Sequence, residues 1–228
     1  MTPPPANTLR TVVVWDVPTR LFHWLLVVLV VAAVVTGSQG SSWMPLHGRI
    51  GMAILVLVVF RVLWGVFGGT HARFVDFVRG PAQALHHLGL VLRRTAHPEV
   101  GHNPLGGYAV VAMLLALGVQ AGMGLFSNND ILFFGPLADR LDYDQGLWIS
   151  SLHRQFAWVV VGLIALHVLA IVLYRILVGL DLVTPMITGR KAVPPSHPVP
   201  KPGHPLLALG LLALSIALVV GTIQVLRP

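Results

Sequence analysis

The sequence predicts an all-α integral membrane protein, a helical bundle with a four-helix core and a fifth, C-terminal transmembrane helix. Three observations carry that reading. Of 228 residues, 55% are hydrophobic and only 10% are charged, against about 25% charged in a soluble domain. Five apolar stretches, near 21–36, 51–68, 108–126, 147–177 and 206–225, approach or exceed the roughly 20 residues that cross a bilayer. The basic residues lie in short polar segments between those stretches, as in a bilayer protein. A net charge of +7 therefore does not indicate nucleic acid, since no basic groove or stacking platform accompanies it. The absence of cysteine excludes disulfides, thiolate metal sites and iron–sulfur clusters.

The first stretch is short unless it reaches back over Pro18, Thr19 and Arg20. It starts with an Arg and a His and lacks a good cleavage site, so it reads as a retained span rather than a signal peptide. The fourth stretch is long enough to tilt or protrude. Orientation follows from the bases. Arg10, Arg20, Arg73, Arg79, Arg93, Arg94, Arg175, Arg190, Lys191 and Lys201 fall on one side, whereas Arg140 stands alone in the loops of the other. The positive side is expected to be cytoplasmic, which places the N-terminus inside and the C-terminus in the periplasm of a bacterial inner membrane. The chain then divides into a cytoplasmic segment (1–19), a four-helix core (20–191), a Pro-rich extended linker (192–204) and the fifth helix (205–228), expected at the periphery.

The histidines are the chemical signal. His23, His47, His153 and His167 lie in or at the ends of the spans, where ionisable residues are costly and mark functional sites. Fourteen residues of helix from His153 to His167 advance ~21 Å and turn about 1400°, some 40° short of four full turns. Both imidazoles thus project from one face, one per leaflet, with Ala157, Val160 and Ile164 between them. Topology places His23 with His167 near the cytoplasm and His47 with His153 near the periplasm. Neutral imidazoles facing each other across a bundle suit bis-His ligation of haem b, held without a covalent bond. Two haems are expected.

The neighbourhood of each histidine fits that chemistry. Gly51, one turn after His47, leaves room for a porphyrin face. Arg20, Arg49 and Arg154 each lie within three residues of a proposed ligand and supply cations for propionates. Arg61, fourteen residues after His47, is placed for a propionate of the cytoplasmic haem or a quinone head group. Gly118 and Gly122 flank Gln120 and mark helix packing. Trp15, Trp24, Trp43 and Trp148 read as interfacial belt residues. His71, His86 and His87 read as solvated loop, since no carboxylate or Cys stands at ligand spacing.

Several motifs carry a resemblance. Trp15-Asp16-Val17-Pro18-Thr19-Arg20-Leu21-Phe22-His23-Trp24, followed by Thr36-Gly37, is similar to the first helix of the prokaryotic cytochrome b561 family, in particular its Ni,Fe-hydrogenase b-type cytochrome branch. Leu46-His47-Gly48-Arg49-Ile50-Gly51, Ala72-Arg73-Phe74, Phe77-Val78-Arg79-Gly80-Pro81, His102-Asn103-Pro104-Leu105-Gly106 and the run from Pro185 to Lys191 extend the likeness. The resemblance implies a four-helix core with two b haems on His of helices one, two and four. It also implies electron exchange between quinone and a redox partner. The linker and fifth helix depart from the pattern.

A bis-His haem has no open iron position and suits electron transfer. The expected function is therefore transmembrane electron transfer between the quinone pool and a periplasmic redox protein, a c-type cytochrome or a hydrogenase. A homodimer is left open. Two alternatives are a stand-alone oxidoreductase using quinone and a small substrate such as superoxide, and a haem-free, His-dependent transporter.

Overall fold

A computed structural model describes residues 9–95, 99–130 and 133–227. Five of its helices are long and apolar enough to cross a membrane. A short strand, β1 (Arg10–Val13), leads into α1 (Val17–Ser38). Asp16 caps α1, with Pro18 in its first turn, where the missing N–H costs nothing. A 3₁₀ turn, Ser41–Trp43, leads into α2 (Met44–Phe67). Two short helices follow, α3 (Phe74–Phe77) and α4 (Pro81–Leu92), before the span α5 (Pro104–Phe126). Asn103 caps α5 through the Gly106 N–H at 2.7 Å. The long span α6 (Tyr143–Leu173) opens on a reciprocal cap between Asp142 and Gln145 and ends in a π turn, Tyr174–Val178. A short helix α7 (Val183–Thr188), strand β2 (Arg190–Val193) and span α8 (Pro205–Leu226) complete the chain.

Each span starts earlier than the apolar run that marks it. First turns such as Met44–His47, with its Pro and His, and the polar Tyr143–Gly146 stand outside the apolar runs yet begin the helices. In consequence His47 lies inside the first turn of α2.

Packing is uneven, and that positions the site. The extensive pairings are α1 with α2, α5 with α6, α2 with α8 and α2 with α5. Among the described helices α6 makes no comparable pairing with α1 or α2, so it stands off from the two helices whose histidines its own face. Halfway along, Leu57, Val58, Leu114, Ala116, Leu117 and Val160 form an apolar core. It separates an upper from a lower layer of histidines.

The fifth helix is more than a peripheral addition. Ala208, Leu211, Ser215, Val219 and Ile223, spaced at three or four residues, are buried, and Ser215 is wholly covered. The helix is tied at both ends. Near its start the Thr70 N–H donates to the Lys201 carbonyl and the Lys201 N–H to the Thr70 hydroxyl, and the Gly203 N–H donates to Asp16 Oδ2 at 3.1 Å. At its end the Arg140 guanidinium donates to the carbonyls of Leu226 and Arg227. Nor are the extramembrane segments on the N-terminal face plain loops. Strands β1 and β2 pair antiparallel, Arg10 opposite Val193 and Val13 opposite Arg190, over a small core of Val12, Val14, Trp15 and Val193. Trp15 is therefore buried rather than part of a belt, whereas Trp24, Trp43 and Trp148 are exposed.

His86 and His87 lie on α4, which corrects the loop reading. His87 is buried, and its Nε2 meets the Tyr174 hydroxyl at 2.9 Å. An amphipathic helix of 12 residues is too short to register as a span.

Candidate functional site

On the face opposite the N-terminus, His47 of α2 and His153 of α6 approach with ring centres 6.0 Å apart and planes at 83°. Each ring is held from behind in the same way. His47 Nδ1 lies 3.0 Å from the Ala33 carbonyl of α1, and His153 Nδ1 lies 3.0 Å from the Gln120 carbonyl of α5. A carbonyl only accepts, so both Nδ1 atoms carry the proton and both Nε2 atoms present a lone pair, that of His153 lying 3.4 Å from the Gln120 side-chain amide. Glycine permits the fit. A Cβ on Gly37 would sit 3.1 Å from the His47 ring, and one on Gly124 would sit 3.2 Å from the His153 ring.

Two imidazoles bonded to one metal at about 2.0–2.1 Å have ring centres on the order of 6 Å apart. The His47–His153 separation fits an iron between them. Gly51 faces open space, with nothing within 4 Å of where its Cβ would be, as a flat ring lying against α2 requires. Gly48 serves otherwise: Phe133 of the segment before α6 packs against it. Arg49 and Arg154 are exposed at this end of the bundle.

The N-terminal layer is built on His23 of α1 and His167 of α6, which lie close enough to interact electrostatically. The His23 ring meets Trp24 edge-on at 5.0 Å, and its Nδ1 is buried without a partner. Arg20 turns aside to donate to the Ile187 carbonyl at the end of α7. Arg61 does not snorkel to the interface. It is 2% exposed, and its guanidinium lies over Phe74 at 5.2 Å and Phe77 at 5.9 Å.

Three contributors were not legible as site residues. Gln120 sits within the glycine pair of α5, where packing was expected. Gly118 does touch Val58, but the Gln120 side chain donates to the His153 carbonyl at 3.0 Å and lies 3.4 Å from its Nε2. His102 and His71 lie in connections by sequence, yet the His102 ring packs tilted against Phe77 at 4.5 Å and edge-on against Trp15 at 4.6 Å. Burial and the Arg61 charge push the His102 pKa down to about 3, and burial lowers that of His71. Among the described residues no cluster of three or more His, Cys, Asp or Glu could hold a metal ion.

A membrane-spanning helical bundle with inward-facing imidazoles and no thiolate is a b-type cytochrome scaffold. The chain belongs to the prokaryotic cytochrome b561 family, whose model matches residues 14–189. It is 24% identical over 220 residues to a probable Ni/Fe-hydrogenase B-type cytochrome subunit of Rhizobium leguminosarum bv. viciae, covering 80% of this chain and 89% of that one. A probable subunit of the same description from Azotobacter vinelandii is 25% identical over 211 residues (78% and 87% covered). The corresponding hydrogenase 1 subunit of Escherichia coli K12 is 20% identical over 215 residues (78% and 90% covered). No solved structure matches the chain. The family carries out membrane electron transfer with haem b, and α8 lies beyond the matched residues.

Proposed function

We propose that the protein carries electrons across the bacterial inner membrane between the quinone pool and a periplasmic redox partner, through two b haems. His47 and His153 would hold one haem, His23 and His167 the other. Arg20, Arg49, Arg61 and Arg154 would serve the propionates, and Gly51 the ring face. The observation that carries the reading is the 6.0 Å, 83° approach of His47 and His153 with both Nδ1 atoms committed to carbonyls. A bis-imidazole haem supplies a one-electron carrier with no open coordination position. The chain's own residues hold the rings in one tautomer, exclude water from the midplane with Leu57, Leu117 and Val160, and set the local charge.

The names of the relatives point to a hydrogenase as partner, with a c-type cytochrome the other candidate. The segment before α6 offers the docking surface. It folds onto its own helices, with Phe133 against Gly48 and Leu137 against Val219 and Ile223, and so covers the His47–His153 end. Asp139, Asp142 and Asp144 nevertheless remain exposed and can steer a basic partner. The test is reduction of the purified protein in liposomes by a quinol. Reducible Soret and α bands at about two haems per chain, oxidised by an external acceptor, are expected. A protein without such bands would leave only the transporter reading.

A further inference from the structure

The N-terminal layer holds buried polar atoms without partners: His23 Nδ1, Arg20 Nε, Arg61 Nη1, His71 Nε2 and His102 Nδ1. Such atoms are rare and point to something that completes them. Arg61 is the most demanding. Among the described residues it forms no hydrogen bond and no ion pair, the one salt bridge being Arg73–Asp76. A buried, unpaired guanidinium costs several kcal/mol unless an anion joins it.

The carboxylate that acts on it electrostatically is hydrogen-bonded elsewhere. Asp16 acts on Arg61 electrostatically, but its Oδ1 accepts from the Thr19 N–H and hydroxyl. Its Oδ2 accepts the Gly203 N–H of the linker. The linker is seated there by close packing, since a Cβ on Gly203 would lie 2.3 Å from the Trp64 ring. Arg61 thus forms no ion pair while Asp16 is held by the α1 cap and by the linker. His102 keeps some exposed surface, but its Nδ1 is buried, and it interacts electrostatically with Arg61, His23 and His167 together.

We infer that Arg61 and His102 form a carboxylate site that takes one propionate of the haem between His23 and His167, and that the Gly203–Asp16 bond keeps this site open. The inference rests on the two-haem reading. A guanidinium is the natural partner of a carboxylate, and a neutral imidazole adds one N–H donor. Phe74, Phe77 and Trp15 wall the site from water.

The test is spectroelectrochemical titration of both haems in detergent, for the natural protein and for Arg61→Gln, Arg61→Lys, His102→Phe and Gly203→Val. In Arg61→Gln one midpoint potential should fall, that of the haem lost in His167→Ala, while the other stays in place. Arg61→Lys should restore most of the shift, and His102→Phe should give a smaller fall in the same haem. Gly203→Val changes no charge, yet it should lower the same potential, because Asp16 is released to neutralise Arg61. Unchanged potentials in Arg61→Gln at full haem content would overturn the inference, as would a change confined to the quinone KM. A natural protein lacking two haems would instead overturn the reading beneath it.

Discussion

Gly37 of α1 lies directly against the ring of His47 on α2, with its position for a Cβ 3.1 Å from Cε1. The relation is mirrored by Gly124 and His153. In both cases the helix behind the ring lacks a side chain, so the imidazole can back onto the helix and reach a carbonyl. Replacing Gly37 or Gly124 by Val should push the ring off its carbonyl. Haem content should fall toward one per chain, with only the His47–His153 haem lost. A full complement in both variants would show that the ring has room to move.

His153→Ala and His167→Ala should each remove a different haem, because they stand in different layers on α6. Pyridine haemochrome content should drop by about half in either variant. The pairing is wrong if both variants lose the same haem, or if either retains two.

His87 gives a contrasting outcome. It bonds to Tyr174 and lies outside both imidazole pairs, so His87→Ala should leave the visible spectrum unchanged. It should lower stability by about 1–3 kcal/mol, the cost of leaving a buried hydroxyl short of a partner. Thermal unfolding followed by circular dichroism measures this, and a lost haem would contradict the assignment.

Acid should weaken the fold through His102. Its pKa is held near 3 rather than at the ordinary 6.5 by burial and by Arg61, so the folded chain refuses a proton that the unfolded chain binds. Stability present above pH 6.5 is then lost progressively as pH falls toward 3, and His71, shifted the same way, adds to the slope. His102→Phe should flatten the dependence of unfolding temperature on pH between 4 and 6.5. An unaltered slope would mean that His102 takes up its proton normally.

The acidic surface before α6 predicts a kinetic effect. Asp139, Asp142 and Asp144 changed to Asn should slow electron exchange with the cognate partner several-fold at low salt. The difference should shrink once charges are screened over ~10 Å near 0.1 M salt. Asn still caps a helix, so α6 should keep its start. An unchanged rate at low salt would remove this surface as the docking site.

The spans and their caps were legible because each depends on local chemistry: an apolar run, and Asp16, Asn103 or Asp142 before it. The four histidines were legible because helix geometry relates His153 to His167 without tertiary information. What escaped depends on residues far apart in the chain. Strand β1 finds β2 across some 180 residues, and α4 is too short and too amphipathic to stand out. His102 reads as loop until Trp15 and Phe77 close on it. Gln120 reads as packing until α6 supplies the ring it touches.

The last span carries a consequence for biosynthesis. Chains emerge N-terminus first, so Asp16 and Arg140 are in place before the groups that satisfy them, Gly203 and the carbonyls of Leu226 and Arg227. The contacts that the linker and α8 make with α2, Asp16 and Arg140 therefore form after the four preceding spans have been made. A chain stopped short of residue 200 would keep all four histidines, yet leave Asp16 free to capture Arg61. Synthesis of the linker and α8 thus supplies the partners of Asp16 and Arg140, and chains truncated before Gly203 should show a lowered potential of the His23–His167 haem, as Gly203→Val should.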